Sequence, residues 1–426
     1  MSTNDKPTVL IVGAGLGGLM LGALLEKQSV PYTIFERAAT IKPLGKLYCP
    51  GALTAIKITD AYYKTGGSAL SVGPVLLPIF EQLGIYDEFV SIAKFSTQLN
   101  AFNESLKPHR PHDYTPLKEL AGYGQYIVAR PILHELFLKQ IPPHKIHFGH
   151  RVLNITEEDN KAIIHLSNNQ TFEGDIVVGA DGAYSAVRQR MYEKLKAKGE
   201  LPKSDEEDLP FSCTCLVGQT KVLDPKEYPI VKEPHAQFYV VLGEDKPYTW
   251  ITFTTAQNTL CFMVIHHLSK TTSKGALEQR FRNNENSEWG AHPAQTMCDE
   301  TRDFRIPARV GMKTMGDIYD LTPKDLISKV MLEEKVFKTW HSGRSVLLGD
   351  ACHKLNPSGG HGAVTAIHDA IALANLLYAL PSNTTSEINK IFQDYQQERY
   401  PAVMESYNNI GQVGEVSTTS RIFEGP

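Results

Sequence analysis

Residues 8–18 read TVLIVGAGLGG, an apolar run followed by spaced glycines, and they decide the fold of this chain. An apolar helical stretch comes next, so the order is strand, tight turn and helix, the context of a dinucleotide-binding fingerprint. Gly13 permits the turn, Gly15 lets the backbone approach a pyrophosphate, and Gly18 lets the helix pack on the strand. The helix N-terminus then presents free N–H groups to phosphates. The pattern predicts a dinucleotide site, against the alternative of a glycine-rich turn without a ligand.

A second strand places a carboxylate near this turn. The strand-like run Tyr32 to Phe35 ends in Glu36. That is near the spacing of about 20 residues at which a carboxylate accepts the ribose hydroxyls of the nucleotide. Glu36 is therefore a candidate cofactor ligand. Two interpretations of Arg37 stay open: it contacts the cofactor, or it is a solvated partner of Glu36.

Two further glycine-bearing segments occur far along the chain. One is Gly179-Ala180-Asp181-Gly182, and the other is Gly349-Asp350, which leads into the Gly-Gly-His-Gly run at residues 359–362. Each segment alone is compatible with an ordinary turn. In this order and at these spacings, together with the first glycine segment, they predict a chain wrapped around one extended FAD.

Length and composition limit the functional classes. The 426 residues, 42% of them hydrophobic, are enough for a large core and predict two or more domains. A formal net charge of -4 and the lack of a basic run argue against nucleic-acid binding. The N-terminus is polar, and apolar runs fall short of the ~18 residues of a membrane span. We therefore expect a cytoplasmic protein with no integral membrane segment.

The cysteines do not form a metal-binding pattern. The sequence has 6 cysteines, scattered along the chain and without a CxxC pair. Cys213 and Cys215 would share one face of a strand and could in principle bind a metal, whereas the plainer interpretation is a set of reduced core thiols. We predict no metal.

The order of elements predicts an α/β protein with two parts. One is a Rossmann-like FAD-binding domain with a parallel sheet, and the other is an inserted substrate domain with an antiparallel sheet, indicated by apolar alternation between Cys213 and Ile265. The charged stretch Lys194 to Asp208 is expected to be an exposed connection. We assign residues 1–95, 121–208 and 341–426 to the FAD-binding domain, 96–120 to a segment of the substrate domain, and 209–340 to its main part.

These motifs together resemble the class A flavoprotein monooxygenases, the para-hydroxybenzoate hydroxylase-like family, and within it the fungal-type enzymes of natural-product synthesis. The resemblance covers nearly the whole chain. It implies that Asp181 and Gly182 lie where FAD and the nicotinamide cofactor approach one another. It also implies that Asp350 holds the flavin ribityl chain and that Arg130 reaches the FAD chain. An ordinary turn or capping role for Asp350, and a surface charge for Arg130, are the alternatives.

The loop after Asp350 resembles the family loop that passes beside the isoalloxazine ring, which implies flavin-side roles for Pro357, Gly360, His361 and Gly362. This loop departs from related proteins, which often carry glutamine and asparagine where this chain has His361 and Val364-Thr365. Backbone contacts do not depend on those side chains. A helix that starts near Gly362 would direct roughly +0.5 of an elementary charge at the ring edge where reduced flavin is anionic. His353 is expected to be a hydrogen-bonded core histidine.

The resemblance also implies the reaction. FAD would be reduced by NADPH or NADH acting as a transient reductant, and reduced flavin would react with molecular oxygen to give a flavin hydroperoxide. An oxygen atom would then pass to an electron-rich aromatic or alkene small molecule, by hydroxylation or epoxidation. The protein must exclude water and orient the substrate. The sequence identifies no catalytic base.

Other classes stay open at this point. A disulfide reductase is disfavoured, because the chain has neither a second G-x-G-x-x-G nor a redox cysteine pair. A flavin-dependent halogenase would carry W-x-W-x-I-P, which the segment Trp250 to Phe253 does not match. A flavin reductase of isoprenoid chains and a degenerate flavin-fold binding protein without catalysis are the remaining alternatives.

The segment Lys46 to Gly66 has no counterpart in the usual family pattern, in which a short loop follows the Glu-Arg strand end. It shows neither strand alternation nor a capped helix. Codons for Gly45-Lys46, Leu53-Thr54 and Lys64 to Gly66 can spell the donor, branch and acceptor signals of a short fungal intron. We hypothesise a retained in-frame intron that impairs FAD binding, against the alternative of a genuine lineage-specific loop.

Overall fold

The computed structural model describes residues 6–39, 69–158, 160–268, 291–307, 311–355 and 362–416. The helices are α1 Leu16–Lys27, α2 Leu77–Leu83, α3 Tyr86–Ile92, α4 Thr115–Ala121, α5 Arg130–Leu138, α6 Ala186–Ala197, α7 Lys203–Glu206, α8 Ala291–Thr301, α9 Met315–Asp320, α10 Gly362–Ala379 and α11 Thr385–Val416. The strands are β1 Val9–Val12, β2 Tyr32–Glu36, β3 Ala69–Val72, β4 Lys94–Ser96, β5 Gln98–Asn103, β6 His112–Asp113, β7 Gln125–Ala129, β8 Ile146–Phe148, β9 Val152–Glu158, β10 Lys161–Leu166, β11 Thr171–Gly174, β12 Ile176–Gly179, β13 Phe211–Gln219, β14 Phe238–Leu242, β15 Tyr248–Thr254, β16 Leu260–His267, β17 Ile327–Glu333, β18 Lys335–Val336, β19 His341–Ser342, β20 Ser345–Leu347 and β21 His353–Lys354.

The first sheet gathers the three glycine segments at one edge. Its strand order is β19-β20-β12-β1-β2-β8, and all pairs are parallel except β19 with β20. Val12 is in register with both Phe35 and Gly179, and Gly179 is in register with Leu347. Because the carboxyl ends of parallel strands share one edge, the glycine turn, Glu36, the Asp181 segment and the Gly349 segment all start there. This confirms the predicted α/β fold with a parallel FAD-domain sheet.

The second large sheet has seven strands in the order β17-β13-β16-β15-β14-β5-β6, antiparallel except for the β14–β5 pair. Residues alternate between its two faces, as the period of a strand requires. Trp250 packs under helices α8 and α9, while the next residue, Ile251, belongs to the opposite face. This confirms the inserted antiparallel sheet. Strands β5 and β6 join it from the early part of the chain, and the exact domain boundaries stay predictions.

The opposite face of this sheet, here called the apolar face, is turned towards the FAD-binding domain. It packs against Ile127 of β7 and Ala69 of β3, which form a small sheet in the order β3-β7-β4. The buried apolar and sulfur side chains of this face are Cys213, Cys215, Val217, Ile251, Phe253, Cys261, Ile265 and Leu332, and the polar residues Thr249 and His267 share the same face.

The charged stretch Lys194 to Asp208 is exposed at most of its positions, as expected, but it is partly helical and includes a buried carboxylate. Helix α6 runs through Ala197, and residues 203–206 form the short helix α7. Asp205 is buried and accepts hydrogen bonds from the backbone N–H groups of Lys338 and Thr339, both at 2.9 Å. These hydrogen bonds allow the carboxylate to be buried, because they replace its contacts with water. They also join this stretch to the segment that leads into strand β19.

Among the described residues one helix, Gly362–Ala379, is long and apolar enough to cross a membrane by length and composition alone. Core helices pass the same test, and Asp369 in the middle of this helix is fully buried in polar contacts. The cytoplasmic location expected from the sequence stays a prediction.

Candidate cofactor-binding site

The glycine turn is shaped by close backbone approach at two glycines and by open space at a third. A Cβ atom on Gly13, whose φ is +107°, would lie 2.4 Å from the carbonyl oxygen of Ala180, and one on Gly18 would lie 2.1 Å from that of Gly13. Neither position accepts a side chain. A Cβ on Gly15 would meet no atom of the described residues within 4 Å, although Gly15 stands immediately before helix α1. Within that part of the chain, the space in front of the helix N-terminus is therefore open to a ligand.

Glu36 is held beside this turn by backbone donors. Its Oε2 accepts from Ala14 N–H at 2.9 Å and its Oε1 from Ala38 N–H at 2.9 Å, and the residue is 8% exposed. Each carboxylate oxygen can accept a second hydrogen bond, so ribose hydroxyls can still be bound. Arg37 is exposed at the same strand end.

His134 fastens helix α5 to the glycine turn. Its Nε2 lies 2.7 Å from the carbonyl oxygen of Ala14, which can only accept, so Nε2 carries the hydrogen. Burial lowers the pKa of His134, with a nearby Arg130 acting in the same direction and the Ala14 carbonyl opposing it. His134 was not among the residues predicted from the sequence. The signal was present, because His134 lies four positions after Arg130 on one helix and hence on the same face.

Arg130 and Asp350 come close enough to interact electrostatically. Arg130 is exposed at the start of helix α5, and Asp350 follows the end of strand β20. Lys354 Nζ donates to Asp350 Oδ2 at 2.6 Å. Burial by itself would raise the pKa of Asp350, but Lys354, Arg130 and His353 together hold it below its ordinary value. Asp350 is therefore an ionised carboxylate in a cationic surrounding. Lys354 is a second residue that the sequence analysis missed.

Asp181 caps helix α6 from the second glycine segment. Its Oδ2 accepts from Ala186 N–H at 2.6 Å and from Val187 N–H at 3.3 Å. Burial raises the pKa of Asp181, and these hydrogen bonds, which act to lower it, offset only part of that effect. Its Oδ1 is buried and has no partner among the described residues, which leaves one acceptor for a ligand. Gly182 follows with φ +84°, a left-handed conformation that favours glycine.

A buried charged cluster supports the Gly349-Asp350 turn from behind. Asp369 Oδ2 accepts from Gly349 N–H at 3.0 Å and lies 2.5 Å from His353 Nε2, while Asp369 Oδ1 accepts from Arg399 Nε at 2.8 Å. Burial would raise the pKa of Asp369, but His353 and Arg399 hold it below its ordinary value. His353 is the hydrogen-bonded core histidine that was expected.

Cys352, His353 and Asp369 have ligand atoms within 4.8 Å of one another, a composition that suits a metal. Both oxygens of Asp369 already bind protein donors, and burial raises the pKa of the Cys352 thiol well above its ordinary value. A protonated thiol and an occupied carboxylate are poor ligands, so this cluster does not argue for a metal. The five cysteines of the described residues are all buried, and none of them forms a disulfide within that part of the chain.

Pro357, Gly360 and His361 lie outside the described residues, as does the segment Lys46 to Gly66. Gly362 is the first residue of helix α10, and a Cβ on it would meet no atom within 4 Å. The predicted helix start at Gly362 is therefore confirmed.

The geometry thus brings Gly13, Glu36, Arg130, Asp181 and Asp350 to one edge of the parallel sheet. The chain matches the FAD binding domain family over residues 60–409 and belongs to that family. It is an FAD-dependent oxidoreductase of the monooxygenase class, as the resemblance to the class A flavin hydroxylases predicted.

Fungal relatives match across almost the full length. The FAD-dependent monooxygenase paxM of Penicillium paxilli is 26% identical over 418 residues, covering 94% of this chain and 77% of paxM. The FAD-dependent monooxygenase ausM of Aspergillus calidoustus is also 26% identical over 418 residues, covering 95% of this chain and 79% of ausM.

Two solved structures share the fold. HpxO of Klebsiella pneumoniae, complexed with FAD and uric acid, superposes with a TM-score of 0.70 at 16% identity, covering 97% of this chain and 90% of HpxO. CtdE, in complex with FAD and a substrate, superposes with a TM-score of 0.72 at 17% identity, covering 99% of this chain and 91% of CtdE.

Proposed function

We propose that this protein is an NAD(P)H-using monooxygenase that hydroxylates or epoxidises an electron-rich aromatic or alkene small molecule. NAD(P)H, a proton, O₂ and the substrate would be consumed, and NAD(P)⁺, water and the oxygenated product would be released. The observation that carries the proposal is that Glu36, Arg130 and Asp350 lie at one edge of the sheet, beside the N-terminus of helix α1. FAD, when bound, supplies the two-electron reduction and the activation of oxygen.

The residues at the sheet edge fit FAD. The N–H groups at the start of helix α1 would bind the pyrophosphate, since a Cβ on Gly15 would project into space that no described residue fills. Glu36 would accept the ribose hydroxyls through the lone pairs that Ala14 and Ala38 leave free. Asp350, ionised beside Lys354, would accept hydroxyls of the ribityl chain. Arg130, next to it, would offset the charge of the diphosphate.

The apolar face of the seven-stranded sheet would form one wall of the substrate site. Beyond its buried members it presents half-buried side chains, which are Phe238, Val240, Met263 and Val330. None of these carries a charge, so the wall suits a neutral ring or alkene. It would also exclude water from the oxygen transfer.

The test is direct. The purified protein should show flavin absorbance and consume NADPH or NADH with O₂ uptake when given neutral aromatic or alkene substrates. Under ¹⁸O₂ the product should gain one labelled oxygen atom. A chlorinated product would support a halogenase instead, and a saturated product without labelled oxygen would support an isoprenoid-chain reductase. An Asp350→Ala variant serves as the matched control for flavin-dependent turnover.

A further inference from the structure

An open groove of about 740 Å³ lies where strand β4 and helix α3 of the N-terminal part meet the seven-stranded sheet. We call it the Lys94 groove. Its cationic and aromatic lining is Lys94, Phe95, Lys118, Tyr126, Lys232 and His235. The volume is in the range of small-molecule sites. Among the described residues that line it, the one carboxylate is that of Glu233.

Lys94 is the unusual member of this groove. It is 7% exposed, and its Nζ donates to the carbonyl oxygen of Val231 at 2.8 Å. An ammonium group has three N–H donors, and the described part of the chain supplies an acceptor to one. Burial lowers the pKa of Lys94, and the field of Glu233 offsets this only in part. A buried cation that lines a cavity with donors to spare favours an anionic ligand.

Aromatic rings also line this groove. Phe95 makes edge contacts with Tyr126 at 5.3 Å and with His235 at 5.6 Å between ring centroids. Lys118 Nζ lies 6.0 Å from the Phe95 ring centroid, and Lys232 is exposed at the rim. Rings together with ammonium groups suit a ligand that carries both a heteroaromatic base and phosphates.

The groove is connected to the cofactor site by strand β7. Tyr126 lines the groove, and Arg130 follows the end of the same strand, beside Asp350. Tyr126 and Arg130 are four positions apart, and at a strand rise of ~3.3 Å per residue their backbones lie about 13 Å apart. A ligand of dinucleotide length is extended enough to span that distance.

We propose that the Lys94 groove binds the phosphate-bearing half of the reduced nicotinamide dinucleotide. This inference rests on the proposed function, which requires NAD(P)H but assigns it no binding site. Lys94 would contact a phosphate inside the groove, and Lys118 and Lys232 would attract the anion at its rim. Phe95 or Tyr126 would stack on the adenine.

The test measures binding of NADP⁺ and NAD⁺ to the FAD-loaded protein by titration calorimetry, and anaerobic reduction of the flavin by NADPH and NADH. Lys94→Met should weaken dinucleotide binding by about tenfold or more, and Lys94→Arg should retain it.

Because Lys94→Met could disturb folding, the double variant Lys118→Glu/Lys232→Glu tests the exposed rim. It should weaken binding by roughly tenfold and reduce its dependence on salt. The matched control is Lys221→Glu/Lys226→Glu, the same charge change at two exposed lysines outside the groove.

The outcomes separate this inference from the proposed function. Flavin content and reduction by dithionite should be the same in all variants. Unchanged dinucleotide affinity in the rim variant would overturn the inference while leaving the monooxygenase proposal intact. Weaker binding of the organic substrate alone would also overturn it, by showing that the groove serves the substrate. A wild-type holoprotein that neither NADPH nor NADH reduces would refute the proposed function itself, and the inference with it.

Discussion

The glycine turn at Gly13 and the turn at Gly349-Asp350 meet at the same sheet edge but are built in different ways. The first is shaped mainly by backbone: Gly13 and Gly18 leave no room for side chains, and the polar contacts described above come from two side chains, Glu36 and His134, both at Ala14. The second is held by charge, since Asp369 binds Gly349 N–H, His353 and Arg399 behind the turn. A turn of the first kind is specified by adjacent residues, whereas a turn of the second kind needs partners from distant helices.

The strongest test of this contrast is Asp369→Ala. It would leave the Arg399 guanidinium without its carboxylate and free the Gly349 N–H, so unfolding free energy should fall by about 3–5 kcal/mol. Denaturant unfolding measures this. Asp394→Ala, an exposed aspartate on the helix that carries Arg399, should change stability by less than about 0.5 kcal/mol. Equal stability of the two variants would mean that the cluster does not support the turn.

A second test compares two glycines of the first turn. Gly13→Ala should cost about 1–2 kcal/mol for the left-handed backbone and a further ~1–3 kcal/mol for displacing Ala180. Gly15→Ala meets open space, so the melting temperature of the FAD-free protein should barely change while FAD affinity falls. A FAD-free Gly15→Ala protein as unstable as Gly13→Ala would contradict a ligand-facing role for Gly15.

The third test concerns the charged residues that would face FAD. Asp350→Ala and Arg130→Ala each remove a charge-assisted hydrogen bond of roughly 1.5–3 kcal/mol, so FAD should bind about 10- to 150-fold more weakly. His353→Ala should chiefly lower stability, because His353 contacts Asp369. Flavin fluorescence titration and thermal unfolding separate the two effects. Unchanged FAD affinity in both of the first variants would remove them from the site.

The smallest expected effect is a pH dependence at His134. Its folded pKa is lowered by burial, so the neutral form is favoured in the folded state. The stability it contributes is fully present above the unfolded pKa of about 6.5 and is lost as pH falls through the folded pKa. His134→Gln keeps a donor for Ala14 but does not titrate. Compared with wild type, its unfolding free energy should fall less between pH 7 and pH 5; identical slopes would show that His134 does not titrate in this window.

Local sequence was sufficient for much of the fold. The strand-turn-helix at Val9 to Lys27 and the alternation in strands β13 to β16 follow from period and from glycine sterics, which neighbouring residues determine. The charge pattern of the stretch Lys194 to Asp208 correctly indicated exposure for most of its residues, whereas it did not indicate that Asp205 is buried. The burial of Asp205 depends on the N–H groups of Lys338 and Thr339, which no local pattern shows.

The sequence by itself determined that this chain has a dinucleotide turn, an α/β fold and the motifs of a flavin monooxygenase, because a backbone that must turn tightly or approach a phosphate requires glycine at fixed spacings. Only the tertiary structure decided which side chains surround those motifs. His134 at Ala14, Lys354 at Asp350, Asp369 behind Gly349 and the buried Lys94 all depend on contacts between elements far apart in the chain. Such contacts are set by how helices and sheets pack, and the free energy of burying a charge there depends on the partner that packing supplies.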